Sequence, residues 1–216
     1  MGLMNYITGL TRETPKTIQL DAGAVIKNID IASATTVEQV KAILASILKR
    51  ETSAKGELLG ATKGGSTLKM VPTVRNLDAD GMREPIVGSE LVDEWDISLT
   101  TTLLEIREST LSLALPMLEW SGVSGMREAK LRRNLRESDY LDNVAWCGNT
   151  GFGMMLVVFD NALHTGGLSM AVQDKGNGTI PLELRAHSAG YSFEEDYLPV
   201  QIYLLTETDA AAAIGA

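Results

Sequence analysis

The chain has 216 residues, of which 44% are apolar and 22% charged, and this balance excludes wholesale disorder. Its 28 acidic and 19 basic side chains give a net charge of −9, which excludes DNA binding through a broadly basic surface. The single cysteine excludes an intramolecular disulfide bond. Because no stretch approaches the roughly 20 apolar residues of a membrane span and no targeting signal is visible, we expect a protein made and used in a cytoplasm.

The beginning of the chain predicts an arm followed by a strand. Residues 1–16 have little periodicity, and we interpret them as an N-terminal arm. Thr17–Ile29 predicts a strand in which Gly23 marks a bulge or a close approach between two backbones.

Thr35–Arg50 predicts the clearest helix. Thr35 and Glu38 have the spacing of a capping box at its start. The apolar residues of this segment form one stripe at helical spacing: Val37, Val40, Leu44 and Ile47. A single stripe indicates that the helix packs on one face of a sheet.

The middle of the chain predicts two long loops around a strand. The loops are Glu51–Gly65 and Asn76–Asp93, which are rich in glycine and polar residues, and Ser66–Arg75 between them reads as a strand. Glu94–Leu103 predicts a further strand, because apolar residues alternate along it. A short helix follows from about residue 105 and ends before Pro116.

The C-terminal third predicts an antiparallel meander. Its strands are Met154–Phe159, Leu168–Gln173 and Ile180–Ala186, joined by turns rich in glycine and asparagine. Leu198–Leu205 predicts a last strand before a flexible tail at 206–216. The expected fold is therefore α+β: one domain over 17–205, an antiparallel β-sandwich or partly closed β-barrel with one flanking α-helix and long loops.

Patterns that resemble catalytic or metal-binding motifs are incomplete. Gly60–Thr67 resembles a phosphate-binding loop, but Ser66 stands where that motif requires lysine. Asn76–Gly81 copies the first half of a calcium loop, whose twelfth position here is Val87 instead of a carboxylate. His164 and His187 lie on different segments, and no local signature joins either of them to Cys147. We therefore expect no enzyme activity, no cofactor and no metal.

Two runs of opposite charge suggest contact between copies of the chain. The basic run consists of Arg127, Lys130, Arg132, Arg133 and Arg136. The acidic run consists of Glu90, Asp93, Glu94 and Asp96, and a second acidic run lies at 194–196. Either these runs are solvated faces, or the basic run of one copy faces the first acidic run of an adjacent copy. Gly122–Asp139, which contains the basic run, reads as a loop or a short helix.

Three stretches of this sequence, in their order and spacing, resemble the major tail (tail tube) proteins of long-tailed bacteriophages. They are LLGATKGGSTLKMVPTVRNLDADG at 58–81, LTTTLLEIRESTLSLAL at 99–115, and the region from Tyr140 to Ser188. The third contains NALHTGGLSMAVQDKGNGTIPLELRAHS after an apolar strand. The resemblance as a whole extends over most of the chain, from about Leu20 to Leu205.

The resemblance implies a structural protein of the virion tail, assembled in the bacterial cytoplasm. Copies would form rings, six-fold in this family, which stack into a hollow tube that conducts DNA without binding it specifically. A neutral to negative inner wall would suit that role. Partners would be other copies, a tape-measure protein, and tail terminator and tip proteins. A contractile-tail tube, a tail-derived injection particle, and a small ligand-binding or enzymatic β-domain remain the alternatives.

The resemblance also implies that the two long loops carry contacts between stacked rings. Such loops bury little surface on their own, so their ordering depends on a neighbouring ring. The candidate residues are Lys55, Leu58, Leu59, Lys63, Asp78, Asp80, Met82, Arg83 and Ile86.

Overall fold

A computed structural model describes residues 14, 18, 21–77, 80–81, 83–172, 174, 176–190 and 197–206. The expected arm, apart from residue 14, and residues 207–216 of the expected tail lie outside them. The described chain is mostly antiparallel β-sheet with two α-helices. In chain order the elements are β1 (Ala24–Lys27), α1 (Val37–Leu48), β2 (Glu57–Leu58), β3 (Thr62–Asn76), β4 (Glu90–Leu103), α2 (Glu108–Ala114), β5 (Leu118–Val123), β6 (Met126–Leu131), a 3₁₀ turn (Glu137–Asp139), β7 (Leu141–Thr150), β8 (Gly153–His164), β9 (Ile180–Arg185) and β10 (Val200–Thr206).

The chain divides into two compact units. The first contains Met1–Leu59, Asp142–Phe159 and Gln201–Ala216; the second contains Gly60–Leu141 and Asp160–Val200. One of the boundaries between the units falls within β8, between Phe159 and Asp160. The expectation of one domain over 17–205 stays a prediction.

The first unit is a sheet packed on helix α1. Its strands follow the order β2, β1, β7 and β8, and β10 also pairs with β8. Strand β1 is antiparallel to both neighbours, with Ile26 opposite Leu58 on one side and Ala145 on the other. The buried core between helix and sheet consists of Ile26, Ile29, Val40, Leu44, Ile47, Ala145, Cys147, Leu156, Val158 and Leu205.

Helix α1 confirms the predicted stripe and corrects the predicted cap. Val40, Leu44 and Ile47 are buried, as helical periodicity indicates. The N-cap is Thr36, not Thr35: its side chain accepts a hydrogen bond from the Gln39 amide at 3.3 Å. The Gln39 side chain in turn accepts one from the Thr36 amide at 3.2 Å. The capping box is therefore one residue later than predicted, because Gln39 occupies the third helical position.

Gly23 allows two backbones to approach closely, as the sequence predicts. Its φ is 71°, and a Cβ atom there would lie 2.6 Å from both the Cys147 carbonyl oxygen and Trp146 Nε1. Trp146 is 4% exposed, and its indole N–H donates to the Ala22 carbonyl at 3.1 Å. The strand is shorter than expected and begins only at Ala24.

The second unit contains the pairs β8–β9, β9–β4 and β4–β3, all antiparallel. On β9, Ile180, Leu182 and Leu184 are buried and alternate with more exposed residues, as predicted. The predicted alternation along β4 is confirmed as well, since its buried residues include Ile97, Leu99, Thr101 and Leu103.

Two predictions about the second unit are wrong. The stretch Leu168–Gln173 is no strand: within its described residues there is one isolated bridge, from Ala171 to Thr179, while Leu168 and Met170 are 41% and 43% exposed. Alternation alone did not create a buried face there. The stretch Gly122–Asp139 is not a loop or helix throughout, because Met126–Leu131 forms strand β6, which pairs with β5.

Candidate functional site

The longest hairpin of the second unit extends beyond the rest of its sheet. Strands β3 and β4 pair from Thr62 to Asn76, whereas β9 pairs with β4 only from Ser98 to Leu103. We call residues 71–76 and 90–95 the β arm. Every residue of the β arm is exposed, and no further strand in the described part of the chain pairs with it. A two-stranded ribbon of this kind is marginally stable in water unless something packs against it.

A β-bulge gives the β arm one apolar face. Thr73 lies opposite Glu94 and Val74 lies opposite Val92, so Asp93 is the extra residue. The bulge shifts the alternation of β4 by one position, which brings Val92 to the same face as Val74. The apolar face of the β arm therefore consists of Pro72, Val74, Val92 and Trp95. The last three are 49%, 52% and 41% exposed.

The opposite face of the β arm carries ion pairs. Arg75 Nε donates to Asp93 Oδ1 at 2.6 Å, and Lys69 at the base of the arm pairs with Asp96. The hydrogen bond from Lys69 lowers the pKa of the Asp96 carboxyl below its ordinary value. Val71 and Leu91 also lie on this face, between the charged side chains. The β arm is thus amphipathic.

The first predicted loop, Glu51–Gly65, is wrong in part, because Glu57–Leu58 forms β2 and residues 62–65 belong to β3. Leu58 lies in β2 opposite Ile26, and Leu59 is only 3% exposed. Lys63 is exposed but belongs to β3. Lys55 lies in the remaining loop and binds Asp30 at 3.2 Å.

The second predicted loop is shorter than Asn76–Asp93, because both ends belong to strands. Residues 77–89 connect β3 to β4 at the end of the β arm, and the Leu77 amide donates to the Ser89 carbonyl at 2.7 Å. Asp80, Arg83 and Ile86 are exposed there. Asp78 and Met82 lie outside the described residues. The role of this loop in stacking stays a prediction.

Most of the basic run is engaged within the subunit. Arg127 makes two hydrogen bonds to the Glu108 carboxylate, at 2.7 and 3.1 Å. Lys130 is 3.6 Å from Glu128. Arg132, with 12% of its side chain exposed, binds Asp139 at 2.5 Å and Glu119 at 3.1 Å. The fourth of these cations, Arg136, lies 3.0 Å from Glu119.

The intrasubunit pairs leave few charges free for a neighbouring copy. On the acidic run Asp93 and Asp96 are already paired, whereas Glu90 and Glu94 are exposed. Among the described residues, Glu90, Glu94 and Arg133 have no ion-pair or hydrogen-bond partner for their side chains. The acidic run at 194–196 lies outside these residues. The hypothesis of charge pairing between copies therefore depends on few side chains.

A cavity of about 390 Å³ lies in the first unit. Its lining is mostly apolar and is formed by Asp21, Ala22, Gly23, Ala24, Ile26, Leu44, Leu48, Cys147, Gly148, Asn149 and Met154. The Asp21 carboxylate accepts hydrogen bonds from the Gly23 amide and from the backbone and side chain of Asn149, at 2.8 to 3.3 Å. These hydrogen bonds stabilise the wall of the cavity.

Both histidine side chains contact backbone groups. His164 is 5% exposed; its Nε2 lies 3.0 Å from the Gly167 carbonyl oxygen, and its Nδ1 accepts from the Glu183 amide at 3.0 Å. His187 Nδ1 lies 3.0 Å from the Arg185 carbonyl oxygen. Backbone contacts of this kind hold local structure.

Cys147 provides a direct check on the core of the first unit. Burial, with a smaller contribution from Asp21, raises the pKa of its thiol to about 11. Because thiolate is the reactive form, we expect the native protein at pH 7.5 to react with a thiol reagent at least tenfold more slowly than the urea-unfolded chain. Equal rates in a colorimetric thiol assay would contradict this burial.

Within the described residues, no group of three or more His, Cys, Asp or Glu side chains is arranged to hold a metal ion. The same part of the chain contains no helix that is long and apolar enough to cross a membrane. No protein-family profile and no curated protein matches this sequence. The fold and the candidate site define a β-rich protein with an exposed amphipathic arm.

Proposed function

We propose that this protein is a self-assembling structural subunit, the tail tube protein of a long-tailed bacteriophage. The observation that carries the proposal is the β arm, which exposes an apolar face beyond the sheet that supports it. Contiguous exposed apolar surface commonly marks an interaction site. The resemblance of the sequence to tail tube proteins supports a second copy of the chain as the partner.

Assembly through one projecting element suits a ring or a tube. A contact between different surfaces of identical subunits is heterologous, so it generates closed rings or open helical stacks. A tail tube uses both kinds of growth. In this proposal the tube conducts DNA through a neutral to negative lumen, and tape-measure, terminator and tip proteins bind its interior and ends.

Electron microscopy of the purified protein tests the proposal. We expect concentrated protein to form tubes of constant bore, and dilute protein to behave as small species in light scattering. Tubes would establish self-assembly as an intrinsic property of the chain. Persistent monomers across a hundredfold range of concentration, also after addition of crowding agents, would contradict the proposed function.

The cavity of the first unit supports a second candidate, a small ligand-binding domain. Its volume of about 390 Å³ and apolar lining lie within the range of small-molecule sites. Saturable binding of an apolar fluorescent probe to non-assembling protein would favour this candidate. Replacing Leu48, which lines the cavity and is 52% exposed, with Trp should fill part of the cavity and reduce that binding. Leu204, which is 48% exposed and does not line the cavity, replaced with Trp provides the matched control.

A further inference from the structure

We propose that the apolar face of the β arm binds one defined patch on a second copy of the chain. This patch, which we call the receptor patch, consists of Leu131, Arg133 and Leu135. In the contact, Glu90 of the β arm faces Arg133 of the other copy. The inference rests on the proposed function, and it adds which two surfaces meet.

The β arm presents only one face for such a contact. Pro72, Val74, Val92 and Trp95 lie on one side, while the Arg75–Asp93 and Lys69–Asp96 pairs lie on the other. A partner that covered the ion-paired face would have to desolvate charged groups without replacing their water contacts. The β arm therefore docks on one side and keeps its charged side in solvent.

Glu90 gives the apolar face a charge at one end. Glu90 lies opposite Asn76, which follows Val74 by two residues along β3. Because side chains two residues apart share a face of a strand, Glu90 and Asn76 both lie on the apolar face. Its side chain has no partner among the described residues. The cations of the β arm and its base, Arg75 and Lys69, are already paired with carboxylates. Two β arms packed face to face would offer Glu90 neither of these cations, and the receptor patch supplies one from another surface of the chain.

The receptor patch supplies that cation together with apolar surface. Leu131 and Leu135 are 62% and 46% exposed, and they flank Arg133 in sequence. Arg133 is exposed and, unlike the other four cations of its run, has no partner in the described part of the chain. An apolar surface with one free carboxylate thus meets an apolar surface with one free guanidinium, an arrangement that favours correct register.

The size of the contact explains why it would act in an assembly. The exposed parts of the apolar face amount to roughly a few hundred Å², well below the roughly 800 Å² per partner of a stable complex. A single contact would therefore not hold an isolated dimer together. Repeated around and along an assembly, the same weak contact becomes cooperative.

Disulfide trapping tests which surfaces meet while leaving both free charges in place. Asn76→Cys places a thiol beside Glu90, and Asn134→Cys places one beside Arg133; both asparagines are exposed. The native Cys147 is buried and does not interfere. Under mild oxidation of concentrated protein, we expect covalent dimers when the two variants are mixed and none with either alone. The chain that carries both substitutions should give a ladder of covalent polymers.

The controls separate this inference from the proposed function. Val172→Cys, at a position 75% exposed, replaces Asn134→Cys in a matched mixture that should give no specific dimer. Tubes that form without the expected cross-link would overturn the inference and leave the proposed function standing. Absence of both tubes and cross-links would overturn both. Dimers of Asn76→Cys alone would indicate pairing between β arms and would also overturn the inference.

Charge reversal provides an independent readout. Arg133→Glu should slow assembly roughly tenfold at low ionic strength, because the contact then opposes two carboxylates. Adding Glu90→Lys to the same chain should restore most of the rate. Lack of restoration, with both variants folded by circular dichroism, would contradict the pairing of Glu90 with Arg133.

Discussion

We expect that replacing Trp95 and Val92 with serine will abolish the proposed tube formation at concentrations where the unchanged protein assembles, while the subunit remains folded. Both side chains lie on the apolar face of the β arm, and they are 41% and 52% exposed. Burying their remaining apolar surface at each contact contributes about 2 kcal/mol. Losing that contribution raises the concentration needed for assembly roughly thirtyfold. Light scattering over a dilution series, together with electron microscopy, measures this change.

The stability of the isolated subunit should hardly change in the same variant. Exposed substitutions outside special backbone positions usually alter the free energy of unfolding by no more than about 0.5 kcal/mol. Val172→Ser is the matched control, because Val172 is 75% exposed and lies outside the β arm. It should assemble normally. If the Trp95 and Val92 variant assembles as well as this control, the apolar face is not an assembly surface.

The parts of the fold that the sequence predicts well are those whose side chains have one buried face. The stripe of helix α1 and the alternation of β9 follow from burial against a single core. Residues 168–172 show the limit of this reasoning. Their alternation is as regular as that of β9, yet Leu168 and Met170 are exposed, because a pattern does not reveal whether a partner surface exists.

The sequence predicts strands over residues 71–75 and 94–95 of the β arm but places residues 76 and 90–93 in a loop, because these solvent-exposed residues carry no burial signal. The sequence shows that Val74 and Val92 are apolar, but it does not predict that they lie on the same face of the hairpin. That face depends on Asp93, whose bulge reverses the alternation of β4 beyond Glu94. A bulge depends on pairing between strands, so the sequence of one strand does not disclose it.

For the charge runs, too, the sequence shows where the charged residues lie along the chain but not which residues they contact. The sequence identifies the basic run at 127–136, but it does not tell that Arg127 binds Glu108 or that Arg132 binds Asp139. Those pairs form only because the β5–β6 hairpin and the 3₁₀ turn bring distant residues together. Neighbouring arginines consequently differ in their surroundings: Arg132 is paired with Asp139 and Glu119, whereas Arg133 has no partner among the described residues.

Arg132→Met therefore destabilises the subunit by about 3 kcal/mol at pH 7, whereas Arg133→Met leaves the free energy of unfolding nearly unchanged. The side chains of Arg132 and Asp139 are 12% and 6% exposed, so removing the guanidinium leaves a carboxylate with little access to water. Urea unfolding of both variants, followed by circular dichroism, measures the difference. Equal stabilities would show that the ion pair contributes nothing net to the fold.

The pH dependence of the same variant identifies the cause. Burial by itself would raise the pKa of Asp139, but hydrogen bonds from Arg132 and the Arg136 amide outweigh it and lower the pKa below 3.8. In the unchanged protein, the stabilisation that comes from the lowered pKa of Asp139 is present above pH 3.8. It is lost as the pH falls through the lower pKa that Asp139 has in the folded state. Removing Arg132 takes away one of these hydrogen bonds and leaves burial as the largest single influence on the pKa of Asp139, so protonation should relieve the uncompensated charge at a higher pH than in the unchanged protein. The difference in the free energy of unfolding between Arg132→Met and the unchanged protein should therefore become smaller between pH 7 and pH 4. A difference that stays constant would indicate that lost packing, and not the uncompensated carboxylate, destabilises the variant.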